Sequence, residues 1–203
     1  MLDILNIFWK IYIVKIIFMS QANPSQNKLK ITFLGEPSVG KSCIVYRLAN
    51  DEFNENLTPT LGLTFYEREF QNSEAKKYTF SFNDLPGSTT AYNMVNTWYR
   101  KSNLILLVYD VSSTESYDAI KLWYEKLNGE KFSIILVGNK ADLDKAITPE
   151  DERYKDIVNE HIQVSAKTGE GMPSLKEKII ELASHNLYED QQLKEKQDKK
   201  GCC

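Results

Sequence analysis

Eight residues, Gly35-Glu36-Pro37-Ser38-Val39-Gly40-Lys41-Ser42, carry the most specific chemistry in this sequence. They spell G-x-x-x-x-G-K-S, a loop that folds round a phosphate. Gly35 and Gly40 let the backbone come close to an anion, and the N–H groups from Ser38 through Cys43 supply positive partial charge. Lys41 can reach β- and γ-phosphates, and the Ser42 hydroxyl can ligate Mg2+. Such a loop works only between a strand and a helix. Leu29-Lys30-Ile31-Thr32-Phe33-Leu34 alternates and is β-branched or aromatic, so it reads as the strand. Cys43 to Ala49 reads as the helix.

A second constellation names the base. Ile134-Ile135-Leu136-Val137-Gly138 reads as a buried strand, and it ends in Asn139-Lys140-Ala141-Asp142. A carboxylate in such an N-K-x-D turn can accept from both N1 and N2 of guanine, a pair that adenine does not offer. The wrong base leaves buried groups unpaired, so discrimination is strong. Between the two motifs, Asp84-Leu85-Pro86-Gly87 follows the strand-like run Tyr78 to Asn83. Asp84 can hold Mg2+ through water, and the Gly87 N–H can bond a γ-phosphate. Thr60, after Pro59, offers a hydroxyl to the same ion and phosphate. D-x-x-G alone is a common turn; its position between the other two motifs gives it meaning.

These motifs, in this order, resemble those of the Ras superfamily of small GTPases over about residues 28–186, and within it the Rab branch. Leu61-Gly62-Leu63-Thr64-Phe65 is similar to the Rab segment after the first switch. Val108-Tyr109-Asp110-Val111, Trp98-Tyr99-Arg100 and Leu122-Trp123 are similar to further Rab segments. The resemblance implies that Ser165-Ala166-Lys167 is the third base-contacting loop. It places Phe53 on the guanine edge, although a core aromatic is an equal reading of that residue. It implies a GTP/GDP switch with Mg2+, in which residues 53–62 and 84–97 are ordered by the γ-phosphate and released on hydrolysis. It also implies a monomer regulated by an exchange factor, a GTPase-activating protein and a GDP-dissociation inhibitor. Effectors and a role in vesicle traffic on the cytoplasmic face of an intracellular membrane follow from the same likeness.

The sequence departs from that pattern at the second switch, where Asn83-Asp84-Leu85-Pro86-Gly87-Ser88-Thr89 replaces the usual Trp-Asp-Thr-Ala-Gly-Gln-Glu. Ser88 stands at the position of the water-orienting glutamine. Its short hydroxyl cannot bridge γ-phosphate and water, so slow intrinsic hydrolysis is expected, with an activator free to supply the missing groups. Asn83 stands where Rabs carry a tryptophan that packs with Phe65 to form an effector-reading surface, so an altered set of effectors is expected. Pro37 stiffens the phosphate loop and removes one N–H. A GTP-bound membrane recruiter with little or no hydrolysis is the alternative these changes leave open.

The fold expected is α/β, a P-loop NTPase (G domain): a doubly wound, mostly parallel six-stranded sheet with helices on both faces and one antiparallel edge strand. Strands are expected near 29–35, 63–70, 76–83, 103–110, 132–138 and 161–165. Helices are expected over 41–50, 91–101, 114–128, 149–159 and 174–186. The domain is 28–186. It is preceded by residues 1–27, a hydrophobic segment and polar leader, and followed by a flexible tail, 187–203.

The 203 residues carry 25 basic and 28 acidic side chains, for a net charge of −3, so no basic excess points to nucleic acid. Three cysteines give no disulfide framework. Residues 1–19 are mostly apolar but are interrupted by Lys10 and Lys15, which suits neither a membrane span nor a secretory signal. Three readings stand: a start-site artefact covering 1–18, an interfacial anchor, or a packed extension. The tail from Leu187 balances four lysines against four acids and ends Gly201-Cys202-Cys203. On a Rab-like domain that ending resembles a double prenylation site at Cys202 and Cys203, and two lipids anchor where one holds only marginally.

Overall fold

Two runs with no polar face set the middle of the sheet. Leu104–Asp110 and Ile134–Asn139 are buried at every position, the pattern of strands covered on both sides. In chain order the elements are β1 (Lys28–Leu34), α1 (Lys41–Asn50), β2 (Thr64–Gln71), β3 (Lys77–Asp84), a 3-10 turn (Tyr99–Lys101), β4 (Leu104–Asp110), α2 (Thr114–Asp118), α3 (Ile120–Glu125), β5 (Ile134–Asn139), β6 (Glu160–Gln163) and α4, a helix over 172–185. This computed structural model describes residues 28–71, 75–87, 99–127, 132–148 and 150–185. The remainder lies outside the described residues, including Ser88, the N-terminal segment and the Cys202-Cys203 end.

The six strands form one sheet in the order β2-β3-β1-β4-β5-β6. β1, β3, β4, β5 and β6 run parallel, and β2 lies antiparallel on the outer edge of β3, with Phe65 opposite Asn83. All six expected strands are found within two residues of their expected bounds. The parallel set brings the ends of β1, β3, β5 and β6 to one edge, so the loops after them meet there.

Alternation along the strands divides the core in two. Ile31, Phe33, Phe80, Phe82, Leu106, Val108, Ile135 and Val137 face α1 and α4, packing on Ile44, Val45, Leu48, Leu175 and Ile179. Leu34, Ile105, Leu107, Tyr109, Ile134 and Leu136 face the other way, onto Tyr117, Ile120 and Trp123. Helices therefore cover both faces, as expected. Phe82 sits among Phe33, Phe70 and Phe80, each with its ring centroid 6.2 Å away. Gly138 is required by close packing: a Cβ there would lie 2.6 Å from the Tyr109 hydroxyl, which is bonded to His161 Nε2 at 2.8 Å.

Two helical expectations need correction. The segment expected as a helix over 149–159 is a series of turns in its described part. The Asp151 carboxylate accepts from the Arg153 backbone N–H at 3.0 Å, a local side-chain bond that competes with helix. It also accepts from the Tyr117 hydroxyl, and the Arg153 guanidinium caps the Tyr117 ring at 4.3 Å. Tertiary partners have thus replaced the helical ladder. The single helix expected over 114–128 is broken into α2 and α3. The Tyr154 hydroxyl takes the Tyr117 and Asp118 carbonyls, and Leu122 N–H turns to the Ala119 carbonyl instead. The 91–101 helix lies mostly outside the described residues.

Asn83, at the position of the Rab effector-surface tryptophan, lies in the interior. It is fully buried, and its Nδ2 donates to Thr32 Oγ1, which pairs with Ser102 Oγ at 2.6 Å. Phe65, its neighbour across the strand pair, is 52% exposed.

Truncating Phe82 to alanine should empty the centre of the aromatic cluster. A loss of about 3–5 kcal/mol in unfolding free energy is expected, measured by urea denaturation at unchanged m-value.

Candidate functional site

The loop after β1 is shaped by close backbone packing. A Cβ at Gly35 would lie 2.1 Å from the Val108 carbonyl oxygen, and one at Gly40 would lie 2.3 Å from Asn139 Nδ2. Gly40 has φ +90°, and Ser38 also has positive φ. Only glycine tolerates these approaches without displacing the strand ends beside them. Gly40 caps α1 with no side-chain bond, so the first N–H groups of the helix face the cleft as an anion site.

Lys41 is buried at the root of this loop, and its Nζ donates to the Gly35 and Glu36 carbonyls at 2.9 and 2.8 Å. Burial pushes its pKa down to about 8, against the opposing charges of Asp84 and Glu36. An ammonium held by two carbonyls and no bonded carboxylate is ready for an incoming anion. Ser42 Oγ lies 2.8 Å from Thr60 Oγ1, and Thr60 donates to Asp84 Oδ2 at 3.1 Å. Burial raises the Asp84 pKa, while bonds from Ser42 and Thr60 oppose the rise. Its second oxygen, Oδ1, is buried without a hydrogen-bond partner. Two hydroxyls and one carboxylate with an orphaned oxygen form a donor set that suits a hard, oxygen-seeking cation. Gly87 packs onto the phosphate loop, where a Cβ would lie 2.4 Å from Pro37 N.

These residues ring a cleft of 490 Å³ lined by Ser38, Gly40, Lys41, Ser42, Thr60 and Gly87. A second cavity of 280 Å³ adjoins it and is lined by Phe53, Asn139, Lys140, Asp142, Ala166 and Lys167. Ser38, Gly40 and Cys43 line both. Cys43 is half-buried between the two cavities, and burial raises its thiol pKa.

Asn139 holds the second cavity together. Its Nδ2 donates to the Val39 carbonyl at 2.9 Å, and its Oδ1 accepts from the Ala166 N–H at 3.1 Å. Asp142 accepts from Ser165 Oγ at 2.5 Å. Lys140, with φ +65°, reaches back to Asp110 at 2.6 Å. Burial works against the Asp110 carboxylate, but Lys140 and Ser112 outweigh it and hold its pKa low. Every described residue expected at the site therefore lines one of the two cavities or, like Asp84 and Ser165, braces a residue that does.

Two supports escaped the sequence reading. Arg47, in the last turn of α1, donates to the Ala166 and Lys167 carbonyls and so fixes the third loop. Its partners lie about 120 positions along the chain, and no local pattern announces them. Asp110 closes a strand, and its place beside β5 was the available signal.

Replacing Asn139 with alanine leaves the Val39 carbonyl and the Ala166 N–H without their partner. A loss of about 2 kcal/mol or more in stability is expected by denaturant unfolding, together with weaker binding of fluorescent GDP.

The Ras family model matches residues 30–185. The chain is 30% identical to Ras-related protein RabC of Dictyostelium discoideum, over 86% of this chain and 96% of the relative. It is 30% identical to Ras-related protein Rab-21 of Geodia cydonium, over 79% of this chain and 71% of the relative. It is 32% identical to Ras-related protein Rab-18 of Lymnaea stagnalis, over 75% and 79%. Two adjoining cavities at the strand ends of a sheet of this order are consistent with such a match, and the chain belongs to the Ras family as a divergent Rab-like small GTPase.

Proposed function

We propose that this GTPase is a nucleotide switch in vesicle traffic, working on the cytoplasmic face of an intracellular membrane and exchanging with the cytosol. The carrying observation is the continuity of the two cavities through Ser38, Gly40 and Cys43. A triphosphate chain seated on the first leaves its base in the second. In this reading Lys41 clamps the β- and γ-phosphates, and the Gly87 N–H bonds the γ-phosphate. The N–H groups of the 35–43 loop hold the remaining phosphate oxygens. Asn139, Asp142 and Ala166 read guanine, Lys140 and Lys167 flank it, Ser165 braces Asp142, and Phe53 packs on its edge.

Mg2+ fits the oxygen donors described above. Ser42 and Thr60 would ligate the ion, and Asp84 would hold it through water. The ion's contribution is to neutralise charge on the phosphate oxygens during transfer. Thr60 and Gly87 arise from different loops, and both address the far end of the phosphate chain. Loss of the γ-phosphate therefore frees both loops at once, which is the switching step.

Hydrolysis needs a water placed in line with the leaving group. Ser88 is too short for that task, so the intrinsic rate is slow and an activating partner supplies the missing groups. An exchange factor, a GDP-dissociation inhibitor and effectors complete the cycle by family likeness. Prenyl groups on Cys202 and Cys203 supply membrane attachment, and their number matters because the tail has no net positive charge. Among the described residues no helix is long and apolar enough to cross a membrane.

Single-turnover hydrolysis of preloaded GTP by the full chain, beside Ser88→Gln, tests the proposal. Slow hydrolysis by the wild type, with at least a roughly tenfold gain in the glutamine variant, is expected. Equal rates would remove Ser88 as the brake. No detectable hydrolysis in either protein, despite tight GTP binding, would favour the constitutive membrane recruiter.

A further inference from the structure

The phosphate loop of this chain contains an acid. Glu36 follows Gly35 directly, inside a loop built to attract a polyanion. Its carboxylate is close enough to be felt by the Lys41 ammonium. A free carboxylate there would repel phosphate oxygens and compete for the lysine, at the short range and low dielectric where such effects are largest.

The side chain is held elsewhere. Glu36 Oε1 accepts from the indole N–H of Trp123 at 2.9 Å. Trp123 is fully buried in the core on the side of the sheet that includes Leu34, Leu85 and Tyr109, so the indole cannot follow the carboxylate outward. The neighbours Pro37 and Ser38 line the cleft, whereas Glu36 directs its charge to α3. The Glu36 backbone is engaged as well: its carbonyl receives Lys41 Nζ at 2.8 Å. The Gly87 backbone presses on the Glu36–Pro37 peptide, where a Cβ would lie 2.6 Å from the Glu36 carbonyl carbon. One residue thus touches the lysine clamp, the start of the second switch and a helix of the far core.

We propose that Trp123 is a positioning residue for the nucleotide site, holding the Glu36 carboxylate away from the bound phosphates. The inference rests on the reading of the 490 Å³ cleft as the phosphate site. Releasing the tether lets an anion swing toward the phosphates, and nucleotide should leave faster. The effect should be larger for a triphosphate than for a diphosphate, because the added charge lies at the Glu36 end of the loop, beside Gly87.

The test is stopped-flow dissociation of fluorescent GDP and of a fluorescent non-hydrolysable GTP analogue from the full-length protein. Wild type, Trp123→Phe, Glu36→Gln and the double variant are compared. Trp123→Phe keeps an aromatic ring and removes the N–H. It is expected to speed release of the GTP analogue by about tenfold, in line with loss of a hydrogen bond to a charged group. Adding Glu36→Gln should return the rate to within about threefold of wild type, because the charge that needed holding is gone. The excess rate of Trp123→Phe should also change as salt rises, since its origin is charge repulsion.

A Trp123→Phe protein that releases nucleotide faster, with no rescue by Glu36→Gln, would make the indole a packing residue and overturn the inference. So would unchanged release from Trp123→Phe. If the wild type binds neither nucleotide, the reading of the cleft itself fails, and that result is distinct from failure of the tether. Thermal unfolding of each variant separates lost packing from altered release, since Trp123→Phe can lower stability without touching the salt dependence.

Discussion

One carboxamide sets the spacing of three loops that share no sequence neighbourhood. Asn139, at the end of β5, is bonded on one side to the Val39 carbonyl and on the other to the Ala166 N–H. The loop after β1, the turn after β5 and the loop after β6 are therefore held at fixed distances before any ligand arrives. Asn139 is 2% exposed, so each of its bonds forms where water cannot substitute. The parallel sheet makes this possible, because it delivers all three strand ends to one edge. Gly40 is the counterpart of the constraint: it leaves out the one atom that would collide with the amide.

Around that fixed frame the groups meant to meet a ligand are left incomplete. Lys41 is buried with carbonyl partners, Asp84 keeps one oxygen unbonded, and the first N–H groups of α1 have no side-chain cap. Each of these costs stability in a protein whose folding margin is small. A ligand that pairs with these groups recovers the cost, so binding of a guanine nucleotide and folding are linked. The aromatic cluster around Phe82 and the fully buried β4 and β5 supply the stability that tolerates such a site.

The sequence was most legible where chemistry is local. The phosphate loop, N-K-x-D and the alternating runs each announce themselves within ten residues, so the strands and the site edge were readable. It was least legible where the deciding partner lies far along the chain. The helix expected over 149–159 has the right spacing of apolar residues, yet Asp151, Arg153 and Tyr154 are claimed by Tyr117 and Asp118, more than thirty positions earlier. Arg47 looked like an ordinary basic residue at a helix end, and its anchoring of the third loop depends on β6 being adjacent in space. Position 83 was readable as a departure from Rab relatives, but not as an interior one, because burial there depends on what covers the sheet.

That last position constrains how the protein can change. Asn83 is fully enclosed, with one amide nitrogen on Thr32 and its carbonyl oxygen unpaired. Thr32 in turn is shared with Ser102, so three small polar side chains occupy one slot beneath the sheet. An indole written back at position 83 would enter a space shaped for an amide, and overpacking of this kind costs about 1–3 kcal/mol. The indole would also remove the Asn83 amide from Thr32, leaving that hydroxyl with Ser102. A larger side chain at position 83 is therefore coupled to Thr32 and Ser102, and space for it opens only when those neighbours shrink or move.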